Sequence, residues 1–221
     1  MSGLFLTFEG PEGAGKTTQI ALLEAALIEA GIRVTRTREP GGDRVGEKVR
    51  ELLLTGEMGA EAELLLFAAA RAQNVCEVVR PALEAGHIVL CDRFTDSTLA
   101  YQGYGRGLDL DLIREINRFA TGNLIPDRTF LLDLPPQVGL ARQDPDAQNR
   151  LDRESLTFHE RVRQGFLDAA TWNPERIVTL DATRATDEVQ RELWQAVRFL
   201  YPDLPDSPNI NPSKINLPGT G

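Results

Sequence analysis

No apolar run in this chain approaches the ~18 residues of a membrane span. It holds two cysteines and two histidines among 221 residues, and acidic residues outnumber basic ones. Each shortage excludes something. Cys76 and Cys91 both stand in apolar surroundings and read as small core residues in a reducing compartment, not as a disulfide or metal site. His87 stands at the start of a predicted strand and His159 falls mid-helix. Neither has a partner at metal or triad spacing, and no Ser-His-Asp arrangement has supporting context. The formal net charge of −9 argues against duplex nucleic acid or an anionic membrane as the main partner, since both reward basic patches. A local cluster of arginines can still hold a small polyanion. The first ten residues already read as strand and loop, so no signal peptide fits and the expected location is cytoplasmic.

What is present suits one soluble α/β domain. Hydrophobic residues are 42% and charged ones 26%, over a length sufficient for a sizeable core. The organising stretch is Gly10-Pro11-Glu12-Gly13-Ala14-Gly15-Lys16-Thr17. It fits the phosphate-binding loop G-x-x-x-x-G-K-[ST]. Leu4-Phe5-Leu6-Thr7-Phe8 before it reads as a buried strand, and the run from Thr18 to Leu27 after it as a helix. Strand, glycine-rich loop and helix are the context the motif requires. Glycines let the backbone turn tightly with its N–H groups facing inward, and the helix N-terminus favours an anion. Lys16 is then expected at the outer phosphates, and the Thr17 hydroxyl on a magnesium ion.

Four further strands are predicted, at Ile32–Thr37, His87–Cys91, Thr129–Leu134 and Arg176–Leu180. Helices are predicted over residues 45–55, 60–85, 93–102, 109–120, 136–142, 154–171 and 186–200. Alternating strands and helices mean a doubly wound, five-stranded parallel sheet with helices on both faces. Gly103, Gly105 and Gly107 read as a flexible break, and the polar stretch 143–153 as a mobile surface segment. Residues 1–200 form the expected domain. The tail 201–221 holds five of the thirteen prolines and reads as irregular.

Other residues gather around the loop on this reading. Asp92 and Arg93 end a core strand at the sheet edge where ligands bind, so the acid can hold magnesium and the arginine a phosphate. Phe67 and Arg71 share a helix face and could meet a base; as pattern alone, a core Phe and a solvated Arg read at least as well. Thr98, Tyr101 and Gln102 follow on one short helix. Arg142, Arg150 and Arg153 border the polar segment 143–153, where closure could carry positive charge to a migrating phosphoryl group. A merely solvated, charged loop is the competing reading there.

These stretches together resemble bacterial thymidylate kinase. The resemblance rests on Phe8–Thr18, on Thr37-Arg38-Glu39-Pro40-Gly41-Gly42, on Asp92-Arg93-Phe94-Thr95-Asp96-Ser97-Thr98-Leu99-Ala100-Tyr101-Gln102, on Leu132-Asp133-Leu134-Pro135 and on Leu151-Asp152-Arg153, and covers residues 4 to about 200. It implies the nucleoside monophosphate kinase fold, a mobile lid over about 142–153, a homodimer, and magnesium-dependent transfer of the ATP γ-phosphoryl group to dTMP. Residues 10–18 would bind ATP, and Thr17 and Asp92 the metal. Phe67 would stack on thymine and Arg71 donate to its O4, with Thr98 at the far edge of the base and Gln102 beside it. Tyr101 would sense the missing 2′-hydroxyl. Arg38, Pro40 and Arg93 would sit on the monophosphate side, and Glu12 near the sugar 3′-hydroxyl. Some relatives carry an arginine inside the phosphate loop where this chain has Gly13. Catalytic positive charge is then expected from Arg153, with Arg150 and Arg142 as further candidates. A kinase for another nucleoside monophosphate or a deoxynucleoside is the alternative enzyme. A nucleotide-dependent switch is the alternative outside enzymes; its nearest guanine-reading string, Asn149-Arg150-Leu151-Asp152, lacks the lysine such a motif needs.

Overall fold

The five predicted strands form in the computed structural model, which describes residues 3–144, 146 and 148–208. They are β1 (Leu4–Glu9), β2 (Val34–Arg38), β3 (Ile88–Asp92), β4 (Arg128–Asp133) and β5 (Ile177–Asp181). All pair in parallel, in the order β2-β3-β1-β4-β5. Alternate residues of each central strand feed opposite faces. Leu6, Phe8, Leu90, Phe130 and Leu132 pack under α1 (Lys16–Glu29) and α9 (Thr186–Leu200), together with Leu23, Leu193 and Trp194. Phe5, Val89 and Cys91 face the other way, as does Leu131. A strand buried on both faces reads as a continuous apolar run, which is why these segments were legible.

The second face is covered by a rod made of α3 (Ala60–Asn74), a π-helical turn (Val75–Val79) and α4 (Arg80–Glu84), and by α8 (Leu156–Trp172). Ahead of that rod lies α2 (Arg44–Thr55). The short α5 (Thr95–Thr98) runs into a second π-helical segment, Leu99–Gly105, and is followed by α6 (Leu110–Thr121). α7 (Pro136–Ala141) leads to the expected lid.

Three expectations change. Gly103 and Gly105 are not a flexible break but lie inside the π-helical segment. A Cβ on Gly105 would stand 2.6 Å from the Phe158 ring, so glycine serves close approach to α8 here. Cys91 is buried as expected, but Cys76 is exposed, because it stands on the outward side of the α3–α4 rod. Within 143–153, Leu151 and Asp152 are buried. Asp152 accepts from Gln143 Nε2 at 3.0 Å and from the Asn149 backbone N–H at 2.8 Å, so an acid in a polar stretch serves as an anchor. Residues 145 and 147 of that stretch lie outside the described residues. Residues 201–208 make no regular element, yet Leu204 joins the core and the Trp194 indole N–H donates to the Pro205 carbonyl at 3.1 Å. The expectation for 209–221 falls outside the described residues.

Candidate active site

Register brings three loops to one sheet edge. Phe8 of β1 and Arg38 of β2 both align with Asp92 of β3. The phosphate loop, the 39–42 loop and the 92–94 turn therefore sit side by side. Gly13 has φ +67, and a Cβ there would stand 2.1 Å from the Gly139 carbonyl oxygen. A Cβ on Gly139 would in turn stand 2.0 Å from the Glu12 carbonyl, so loop and α7 meet backbone to backbone.

The Lys16 side chain is buried and folds back on its own loop, donating to the Gly10 carbonyl at 3.0 Å and the Pro11 carbonyl at 2.9 Å. Burial, then the nearby Arg93 guanidinium, pull its ammonium down to about 8, against Glu12, Asp92 and Glu9. The Thr17 hydroxyl donates to Asp92 Oδ2 at 3.2 Å. A cavity wraps this loop. It is lined by residues 12–18, Arg38, Asp92, Arg93 and Arg142, and also by Arg36 and Arg50. Gly10 and Pro11 contribute carbonyls to Lys16 rather than lining.

Arg93 holds φ +70, a left-handed conformation rare for a side-chain-bearing residue. Its backbone N–H donates to the Phe8 carbonyl at 2.9 Å. Its guanidinium donates to Gly10 O (3.1 Å), Ser97 Oγ (3.2 Å) and Glu12 Oε1 (2.8 Å), and lies over the Tyr101 ring. The Tyr101 hydroxyl donates to the same Glu12 oxygen at 2.8 Å. Burial pushes the Glu12 carboxyl up, but Arg93 and Lys16 outweigh it and bring it to about 2. Glu12 is therefore a fixed anion between the loop and the turn. Beneath them, fully buried Glu9 accepts from the Phe94 and Ser97 backbone N–H groups at 2.8 and 3.2 Å, which braces the unusual turn.

A second cavity opens on the other side of Glu12 and Arg93. Phe67, Arg71, Thr98, Tyr101 and Gln102 line it, with Pro40 and Arg50. Arg71 is not solvated: it is 1% exposed. It donates to Glu39 Oε2 (2.7 Å), Thr98 Oγ1 (2.8 Å), Asn117 Oδ1 (2.5 Å) and the Phe94 carbonyl (2.9 Å). Those bonds engage four of the five guanidinium hydrogens, leaving one on Nη2. Gln102 is buried and donates to Glu63 Oε1 at 2.8 Å.

The lid arginines part ways. Arg142 lines the phosphate-loop cavity and donates to the Gly13 carbonyl at 3.2 Å. Arg150 donates to Glu63 Oε2 at 2.5 Å and to the Leu53 carbonyl at 3.1 Å, and lines neither cavity. Arg153 is exposed and lines neither.

Sequence reading missed Arg50, which lines both cavities, because a single arginine on an amphipathic helix looks solvated. It also missed Glu9, Glu39 and Glu63, which are all buried. Acidic residues are seldom buried without partners, and their partners are distant in sequence.

A family model described as thymidylate kinase matches residues 8–193. A thymidylate kinase of Deinococcus radiodurans is 58% identical over 198 residues, covering 88% of this chain and 96% of that protein. One from Desulforudis audaxviator is 54% identical over 209 residues, covering 93% and 95%. The solved thymidylate kinase of Ehrlichia chaffeensis superposes with a TM-score of 0.73 at 37% identity, covering 89% of this chain and 99% of that one.

Proposed function

The chain belongs to the thymidylate kinase family and phosphorylates dTMP to dTDP, and we propose that its two cavities hold the two substrates of that reaction. The observation that carries this reading is their meeting at Glu12, Arg93 and Arg50, with a phosphate loop on one side and an aromatic, hydrogen-bonding cleft on the other. ATP phosphates take the Gly10–Thr18 loop. Lys16 exchanges the Gly10 and Pro11 carbonyls for phosphate oxygens, a stronger pairing for an ammonium. The donor base lies in the adjoining cleft, between Arg142 and residues 182–186.

The dTMP base stacks on Phe67 and takes the remaining Arg71 hydrogen at its O4, with Thr98 and Gln102 around it. Arg93, Arg50, Arg38 and the Pro40 loop face its phosphate, and Glu12 its 3′-hydroxyl. In this direct in-line transfer, charge spreads over the migrating phosphoryl oxygens. Lys16, Arg93, Arg142 and Arg153 answer it, Arg153 arriving with lid movement.

Magnesium fits the Thr17–Asp92 oxygen pair, which offers two hard donors at the end of the loop. Bound there, it would neutralise phosphate charge as the bond to the leaving group breaks. Turnover of ATP with a panel of nucleoside monophosphates, with and without a chelator, tests substrate and metal together. Equal rates with dCMP, or full activity in chelator, would refute the reading.

Tyr101 lines the nucleoside cavity with its hydroxyl on Glu12 and its ring against Arg93, and we place that ring where a 2′-hydroxyl would meet it. Tyr101→Ala is expected to narrow the ratio of dTMP to ribo-TMP turnover, and an unchanged ratio would remove Tyr101 from sugar selection. We also assign a homodimer. The layer of α2, α3 and α6 exposes Leu52, Leu65, Leu112 and Phe119, the last at 88%. Leu112 and Phe119 are seven apart on α6 and share a face. Phe119→Asp should then shift the mass in light scattering from dimer to monomer; an unchanged dimer would place the interface elsewhere. The cytoplasm, where its nucleotide substrates reside, is the proposed location, and cell fractionation tests it. Among the described residues no helix is long and apolar enough to cross a membrane.

A further inference from the structure

Glu63 lies outside the proposed phosphoryl-transfer machinery, yet it is 1% exposed and joins three elements. Gln102 reaches it from the π-helical segment at 2.8 Å. Arg106 donates to its two oxygens, each at 3.1 Å, and to Glu154 at 2.5 Å. Arg150 reaches it from the lid at 2.5 Å and also holds the Leu53 carbonyl of α2. Burial would push this carboxyl up, but its bonds to Arg106, Gln102 and Arg150 outweigh burial and lower it, so it is a charged acceptor at neutral pH.

We propose that Glu63 is a positioning residue for nucleotide capture, latching the Asn149–Leu151 stretch of the lid over the nucleoside cavity through Arg150. Asn149 and Leu151 flank Arg150 and both line that cavity, as Phe67 does. Glu63 stands one helical turn before Phe67 on α3, so the latch is fixed to the same helix face as the base platform. While Arg150 holds Glu63 and the Leu53 carbonyl, the stretch 149–151 stays fixed against α3 and α2 as a wall of that cavity. The latch therefore acts on how tightly the monophosphate is held, through Arg150, and makes no contact with the reacting atoms. This rests on dTMP occupying that cavity.

A purely structural Glu63 would be satisfied by Arg106 and Gln102 alone. Arg150→Met separates the cases, because it leaves both of those bonds in place. Steady-state kinetics should show the KM for dTMP raised about tenfold, the scale of one lost bond to a charged group. kcat and the KM for ATP should stay within about twofold, since the latch makes no transition-state contact. Glu63→Gln should move the same constant in the same direction. The double variant should do no more harm than the worse single one, because the pair acts as a unit. An unchanged KM for dTMP in Arg150→Met overturns the proposal. So does a large fall in kcat at unchanged KM, which would make Arg150 a phosphoryl contact. Additive effects in the double variant overturn it as well. Failure of the parent enzyme to turn over dTMP would instead sink the assignment of the cavity.

Discussion

Lys16→Ala is expected to lower kcat by ~10³-fold or more while the ligand-free protein melts no lower than the parent. Buried lysines normally make a fold more stable only when paired. Here the ammonium has carbonyl partners, and burial together with Arg93 still brings it to about 8 from the ordinary 10.5. A depressed lysine pKa means that the charged form is disfavoured in the folded state, by roughly 3 kcal/mol for a shift of this size. Removing the group relieves that strain. The Gly10 carbonyl keeps its bond from Arg93. The sign of the linkage follows. Between about pH 8 and pH 10.5 the unfolded chain binds one more proton at this position, so this group makes the parent's stability rise with pH across that window, a rise the variant lacks. On the proposed reading the ATP phosphates would add to the charge of Glu12, Asp92 and Glu9 around the ammonium and favour its charged form. Calorimetry and steady-state rates check both halves. A sharp loss of melting temperature, or activity within a few-fold of the parent, would show that Lys16 serves the fold instead.

The second large effect is expected at Arg153. Arg153→Ala should reduce kcat by ~10³-fold, as removal of a transition-state arginine does, with the KM for dTMP nearly unchanged. Among the described residues the Arg153 side chain has no hydrogen-bond or ion-pair partner, so closure breaks no bond of its guanidinium. Its neighbour Asp152 is anchored on Asn149 and Gln143, which gives the segment a fixed pivot. Arg142→Ala should have the same sign and a smaller size, and should also raise the KM for ATP, because Arg142 already lines the loop cavity. If Arg142→Ala were inactive and Arg153→Ala normal, the charge would come from the start of the lid. If neither mattered, the lid would supply no catalytic charge.

Most of the fold was legible because its signals are local. Four largely apolar strand segments, one alternating β-branched one at 32–37, one glycine pattern and helical periodicity between them are enough to lay out a parallel sheet and the edge that carries the loop. The boundaries moved by a few residues at most. What could not be read is what joins distant positions. Arg71 looked solvated on α3, but its partners Glu39, Thr98 and Asn117 lie 32, 27 and 46 residues away. Burial of a charge depends on such partners, and no window of sequence contains them. Glu63 and Arg150, 87 residues apart, are the same case. Glycine was misread at Gly105 because one residue type serves both turning and close approach, and only the Phe158 ring decides between them.

The contact between Gly13 and Gly139 carries one further consequence. Relatives with an arginine in the phosphate loop would place it where this chain has no room for a single carbon, since a Cβ on Gly13 would overlap a carbonyl of α7. The two ways of delivering a guanidinium are thus alternatives built into the backbone, not interchangeable side chains. A graft of arginine at position 13 would have to be accompanied by a displaced α7. Since α7 leads straight into Arg142 and the lid, the same displacement would unseat the proposed source of charge. Evolution between the two designs would have to cross both changes at once, so intermediates with one of them should be poor enzymes by either route.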